Sequence, residues 1–217
     1  MGRTSDAKDR LLTAAKELIL EQGYHAVGVA ELCDRAQVNK GSFYHFFRTK
    51  QALATELVDT TWSPARDSLQ QVVEDRDRSA LERLRQLLAA VYQHHRDTRA
   101  ERGCTMGCPF ANLAVEMSVH DPQLRQQLSA IFEEHAGLYR QLLEQAVETG
   151  ELDPENLGTG DLGLLARDLL ALVEGRVLLA KTADDPGRLL GLDVSALRML
   201  GVSPDSVPVT APLVCSL

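Results

Sequence analysis

The apolar positions at the start of the chain return at helical intervals, broken at two points by turn residues. From residue 6 to residue 22, Leu11, Ala15 and Leu18 recur with Leu12, Ala14 and Ile19 beside them, while Lys8, Arg10, Lys16 and Glu17 fall elsewhere. That spacing predicts an amphipathic helix. Gly23 stands where a left-handed C-cap belongs, followed by apolar Tyr24. Gly28 can open a second helix in which Val29, Leu32, Cys33 and Ala36 fall at i, i+3, i+4 and i+7, so Cys33 reads as a small core residue. Gln37, Val38 and Asn39 then turn the chain into a short helix that Asn39 can cap. Four of the ten aromatic residues lie in that helix: Phe43, Tyr44, Phe46 and Phe47. A helix this short cannot stand alone, so some of those rings must anchor it to its neighbours. Two short helices on a tight turn, buttressed by a longer one, make a helix-turn-helix.

Helical periodicity continues to the far end. A fourth helix beginning at Thr49 or Lys50 carries Leu53, Leu57 and Val58, and Trp62, Ser63 and Pro64 either kink or end it. Ser79 and Glu82 form a capping box that opens a helix to about His95, with Leu81, Leu84, Leu87, Leu88, Val91 and Tyr92 on a broad apolar face. Pro109 suits the first position of a short helix, and Asp121 with Pro122 starts a long one that runs to Thr149 before Gly150. From about 161 to 182, Leu162, Leu165, Leu169, Leu172, Val173 and Leu179 are distributed nearly all round, which predicts a helix that partly faces a second copy of the chain. A last helix begins near Pro186 or Ser195. Beyond it Pro204, Pro208 and Pro212 predict an extended or mobile tail over 202–217. The fold class is all-α.

Composition narrows the function. No apolar run approaches the length of a membrane span, and the first ten residues lack a signal-peptide core, so a cytoplasmic protein without a membrane partner is expected. Four scattered cysteines do not make a disulfide framework. A net charge of −8 argues against nucleic acid until it is located: residues 1–50 hold eight Lys/Arg against six Asp/Glu, which leaves −10 for the remainder. A mildly basic N-terminus on an acidic body fits a DNA-facing module. An all-helical enzyme is the contrasting class, but P-loop, G-x-S-x-G and HExxH patterns are missing, and neither catalytic residues nor a cofactor is expected.

Residues 23–53, G-Y-H-A-V-G-V-A-E-L-C-D-R-A-Q-V-N-K-G-S-F-Y-H-F-F-R-T-K-Q-A-L, resemble the DNA-binding domain of the TetR/AcrR family, most specifically in V-x-K-G-S-F-Y-x-x-F-x-x-K from Val38 to Lys50. The resemblance implies an N-terminal three-helix helix-turn-helix domain over 1–53, with the motif at about 28–47. A helical ligand-binding and dimerisation domain over 54–201 would follow. Val38, Phe43 and Phe47 should face the core. Lys40, Ser42 and His45 should face the major groove, with Gly41 allowing close backbone approach and Tyr44 offering its hydroxyl to a phosphate. Thr49 and Lys50, at the start of the fourth helix, should meet phosphate as well, and Arg3 and Thr4 should lie on a flexible arm near the minor groove. Gly28 departs from the family's usual Thr or Ser and costs a helix cap. The implied function is a repressor. It binds a palindromic operator in double-stranded DNA as a homodimer and is released by an effector that changes the spacing of the two recognition helices.

The segment G-C-T-M-G-C-P at 103–109 is the unusual feature of the body. Cys104 and Cys108 read first as core or capping residues. Cys104 is alternatively a sensor thiol for oxidants or electrophiles, activated by Arg99 and Arg102 nearby, as a similar segment is in some family members. A Cys104–Cys108 disulfide is a third reading. A zinc site with His94 and His95 is the least favoured, because the spacing matches no common site. For a small-molecule effector, Tyr92, Phe110, Leu113, Met117, Tyr139 and Val173 are the candidate pocket residues.

Overall fold

The computed structural model describes residues 3–157 and 160–208, with side chains placed from Asp6 onward except at Asn156. Among the described residues all regular structure is helical. The chain divides into two compact units, Met1–Ser63 with Pro109–Ser129, and Pro64–Cys108 with Ala130–Leu217.

In the first unit, α1 (Arg3–Gln22) buries Leu11, Ala14, Ala15, Leu18 and Ile19. It begins at Arg3, so the expected arm at Arg3 and Thr4 is instead its first turn. Gly23, at φ +85°, ends it, its amide donating to the Ile19 carbonyl at 2.9 Å. Next, α2 (Val29–Ala36) starts from Gly28 with no side-chain cap, which is the cost read from the sequence, and buries Leu32, Cys33 and Ala36. Gln37 adopts the left-handed conformation at φ 54°, and α3 (Lys40–Phe46) follows. The fourth helix, α4 (Lys50–Glu74), is capped by Thr49 Oγ1, which accepts from the Ala52 amide at 3.0 Å.

Pro64 lies inside α4, which runs on through it. The helix thus forgoes one backbone rung, and the boundary between the units falls at that position, between Ser63 and Pro64. The first unit also takes in α6 (Pro109–Met117) and the start of α7 (Pro122–Glu148), segments that a boundary at residue 53 assigns to the body. They pack there because Phe110 meets Trp62 of α4 and Gln127 Nε2 donates to the Thr55 carbonyl at 2.9 Å and to Asp59 at 2.6 Å.

The second unit is built on α5 (Ala80–Arg102), the rest of α7, α8 (Leu162–Ala183) and α9 (Leu192–Met199). The Ser79–Glu82 capping box is present, and Glu151 adds a remote cap by accepting from the Ala80 and Leu81 amides at 3.0 Å each. α5 extends past His95 to Arg102, where Gly103 ends it at φ 81°. α8 buries Leu165, Leu169, Leu170, Val173 and Val177 and leaves Leu164, Leu178 and Leu179 exposed at 39, 60 and 56%. The tail departs from the reading for residues 202–208. A 3₁₀ turn spans Pro204–Ser206, Val207 is buried, and Arg85 donates to the carbonyls of Pro204 and Val207 while pairing with Asp193 at 2.9 Å. Residues 209–217 lie outside the described residues.

Candidate nucleic-acid interface

Helix α3 is held from below by its own aromatic residues. Phe43 and Phe47 are 0 and 2% exposed, with ring centroids 5.9 Å apart. Val38 is half-buried. Asn39 Oδ1 accepts from the Ser42 amide at 2.8 Å, which fixes the first turn. A Cβ on Gly41 would sit 3.2 Å from that Asn39 oxygen, so the glycine serves the cap as well as any close approach to the backbone. With the core rings committed inward, Lys40, Gly41, Tyr44 and His45 project as an exposed set, Tyr44 at 56%, and Ser42 is half-buried. Thr49 is exposed at the head of α4, beside exposed Arg48, a cation the sequence reading did not single out.

Lys50 is placed differently from the others. Its Nζ turns inward and donates to the carbonyls of Tyr24 and Val27, both at 2.8 Å, and lies 4.1 Å from the centre of the Tyr24 ring. Burial pushes its pKa down, countered by the charge of Glu116. The α1–α2 turn therefore holds the ammonium that the sequence assigned to phosphate. The sequence reading also missed Glu116 itself, on α6. Its Oε2 accepts from the His25 amide at 3.2 Å, and a Cβ on Gly23 would come within 2.8 Å of Oε1.

The six candidate pocket residues separate by unit. Phe110, Leu113 and Met117 belong to the first and Tyr92, Tyr139 and Val173 to the second. In the first unit Phe110 and Leu113 line an apolar cleft with Ile19, Leu57 and Val58, of about 30 Å³, room for a water and not for a drug-sized effector. Leu113 and Met117 are buried core residues there. In the second unit Tyr139 is buried with its ring 5.1 Å from that of His135, whose pKa burial lowers to about 4, and Val173 is buried on α8. Next to Val173, burial raises the pKa of the Glu174 carboxyl, a hydrogen bond with Cys108 opposes the shift, and its Oε2 is buried with no hydrogen-bond partner among the described residues.

Cys33, Cys104 and Cys108 are thiols outside any disulfide; Cys33 is buried, Cys108 half-buried and Cys104 exposed with its sulfur 3.4 Å from Met106 Sδ. Arg99 pairs with Asp184 at 3.0 Å, and Asp184 also accepts from the Thr105 amide at 2.8 Å. His94 and His95 have ring centroids 5.3 Å apart, and His95 is buried with its pKa lowered to about 4 by burial and by His94. Among the described residues no group of three or more His, Cys, Asp or Glu is arranged to hold a metal, and no helix is long and apolar enough to cross a membrane.

Residues 11–57 match the model of the bacterial regulatory proteins of the tetR family, and residues 80–190 match the tetracyclin repressor-like C-terminal domain. The transcriptional regulator AcuR of Cereibacter sphaeroides is 32% identical over 175 residues, 81% of this chain and 76% of that protein. The transcriptional repressor NemR of Escherichia coli is 28% identical over 145 residues, 67% of this chain and 69% of its own length. The crystal structure of reduced NemR aligns at TM-score 0.78 and 25% identity, covering 92% of this chain and 99% of that one. A regulatory protein TetR from Rhodobacter sphaeroides aligns at TM-score 0.77 and 30% identity, covering 89 and 98%.

Proposed function

Because the chain belongs to the TetR family of bacterial regulatory proteins, we propose how this DNA-binding, ligand-responsive regulator works: it acts as a repressor. Two copies dock α3 in successive major grooves of a palindromic operator, about 34–36 Å apart. Lys40, Ser42 and His45 reach base edges or phosphates, Gly41 lets the backbone approach, and Tyr44 and Thr49 offer hydroxyls to phosphate. Lys50 contributes by holding the α1–α2 turn against the head of α4. The observation that carries the reading is the division of α3 into buried Phe43 and exposed Lys40, Tyr44 and His45. The exposed leucines of α8 support a homodimer, because an apolar face of that kind is normally covered by a partner. The effector is a small molecule taken up in the second unit, around Tyr92, Tyr139 and Val173. The protein works in the cytoplasm, where its DNA is.

Selection from random double-stranded DNA tests this. A palindrome with half-sites one helical turn apart is the expected result, and an asymmetric or absent consensus contradicts it. Tyr44→Ala together with Lys50→Ala should abolish the mobility shift while the dimer stays folded.

Cys104 favours a second reading of how the signal enters. It is the exposed thiol of the 103–108 segment, and one relative, NemR, has been crystallised in a form described as reduced. In that reading an oxidant or electrophile modifies Cys104 and DNA is released. A Cys104→Ser variant that still releases DNA under electrophile challenge rules it out.

A further inference from the structure

The turn between α1 and α2 is gripped from both sides. On its carbonyl side, Lys50 of α4 donates to Tyr24 and Val27. On its amide side, Glu116 of α6 accepts from His25, 91 residues away in sequence. A cation on the carbonyls and an anion on the amide both align with the peptide dipoles, so each charge reinforces the hold of the other. The approach is close because residue 23 is glycine: its φ of +85° ends α1, and a side chain there would collide with the Glu116 carboxylate. Nearby, the rings of His25 and His120 stand edge to face at 5.8 Å, and Asp121 is buried just after α6. All of these residues belong to the first unit.

The same unit contains α3, and Lys50 sits four residues after its last residue. Whatever moves the turn therefore moves the head of α4 and the base of α3.

We infer that Glu116 is a positioning residue for operator binding: it clasps the α1–α2 turn and, through the Tyr24 and Val27 carbonyls and Lys50, fixes α3 and the start of α4 in their DNA-competent arrangement. The inference rests on the reading of α3 as the recognition helix. It assigns α6 an active part in DNA binding without contact with DNA. Glu116 touches neither base nor phosphate; it acts on placement.

The test uses the full chain and the palindrome recovered from random DNA, with affinity read by fluorescence anisotropy. Glu116→Ala is expected to bind about tenfold more weakly, the loss of one charge-assisted hydrogen bond to a backbone amide. Glu116→Gln keeps an acceptor for the His25 amide without the charge and should recover part of the affinity. Glu116→Asp keeps the charge but shortens the reach; it should weaken binding as Ala does, and it stands in if the Ala variant does not fold. In a double-mutant cycle, Glu116→Ala and Lys50→Met should be strongly non-additive, because both act through one turn. Amide deuterium exchange over residues 23–27 should rise in the Ala and Asp variants and not in Gln. Wild-type affinity in Glu116→Ala or Glu116→Asp, additive losses, or failure of Gln to restore binding overturns the inference. If the wild-type chain recovers no palindrome, the operator reading falls and takes this one with it. A palindrome bound equally well by wild type and variants removes this one alone.

Discussion

The indole of Trp62 and the ring of Phe110 meet edge to face, centroids 5.8 Å apart and planes at 89°. Trp62 is on α4 at 6% exposure, Phe110 is in the first turn of α6, and the chain has one tryptophan. Tryptophan emission of the whole protein therefore reports the seating of α6 on α4. Phe110→Ala should shift that emission to longer wavelength as water reaches the indole. Loss of a half-buried ring should destabilise the fold by roughly 1–3 kcal/mol, below the range for fully buried aromatic residues. Unchanged emission in a folded Phe110→Ala protein would show that α6 does not shield Trp62 in solution.

The exposed face of α3 makes its own prediction about salt. Each phosphate contact that a cation neutralises steepens the dependence of log affinity on log salt by about 0.9. Lys40→Ala should weaken binding to all sequences and reduce that slope by about one unit. Tyr44→Ala removes a neutral hydroxyl and should weaken binding with the slope unchanged. A Lys40→Ala protein with an unaltered slope would place that lysine away from phosphate.

Where the sequence was legible, the signal was local. Asn39 capping α3, the Ser79–Glu82 box, and Phe43 and Phe47 facing inward all depend on residues within a turn or two of each other. The inward hold on Lys50 left no signal because its partners, the carbonyls of Tyr24 and Val27, lie 26 and 23 residues back and are backbone atoms that no motif records. The end of α5 was read seven residues early, since the stretch from Arg96 to Arg102 has no apolar stripe to mark it and is helical by continuation alone. The prolines of residues 202–208 forbid a helix and predict only an extended or mobile tail. Those residues are held instead by a buried arginine, Arg85, more than a hundred positions away. Glu116 left no trace in the pattern, being one acid on a helix whose apolar face explained it well enough.

Glu151 closes the amino end of α5 from a distance. Burial alone would raise its pKa, but hydrogen bonds from the Leu81 amide, Thr149 hydroxyl, Ser79 and the Ala80 amide outweigh it, and the net shift is downward. A carboxyl with a depressed folded-state pKa contributes stability that is present above its unfolded pKa and is lost as pH falls through the folded one. Glu151→Ala should cost about 1–2 kcal/mol at neutral pH, the usual value of a helix N-cap. That difference from wild type should shrink in acid, below the ordinary glutamate range. Urea melts of both proteins at neutral and acid pH read it directly, and a constant difference would mean that the carboxylate is not what caps α5.

The second unit should lose stability well before its carboxylates titrate. His95 is 6% exposed, and burial together with neighbouring His94 lowers its pKa to about 4; burial alone lowers that of His135 to about 4. Both imidazoles are neutral in the folded chain at pH 6, whereas in the unfolded chain they protonate near 6.5. The unfolded state then binds more protons, so stability falls with decreasing pH from about 6.5 down to about 4, by about 1.4 kcal/mol per pH unit for each histidine once its unfolded form is fully protonated. Below about 4 the folded form takes up the protons too, and this contribution levels off. His135→Phe keeps the ring beside Tyr139 and removes the titrating group, so the acid-limb slope should fall by about half, and His95→Gln should remove the other part. The measurement is urea unfolding of wild type and both variants across that range. Parallel slopes in all three proteins would show that neither imidazole is held neutral by the fold.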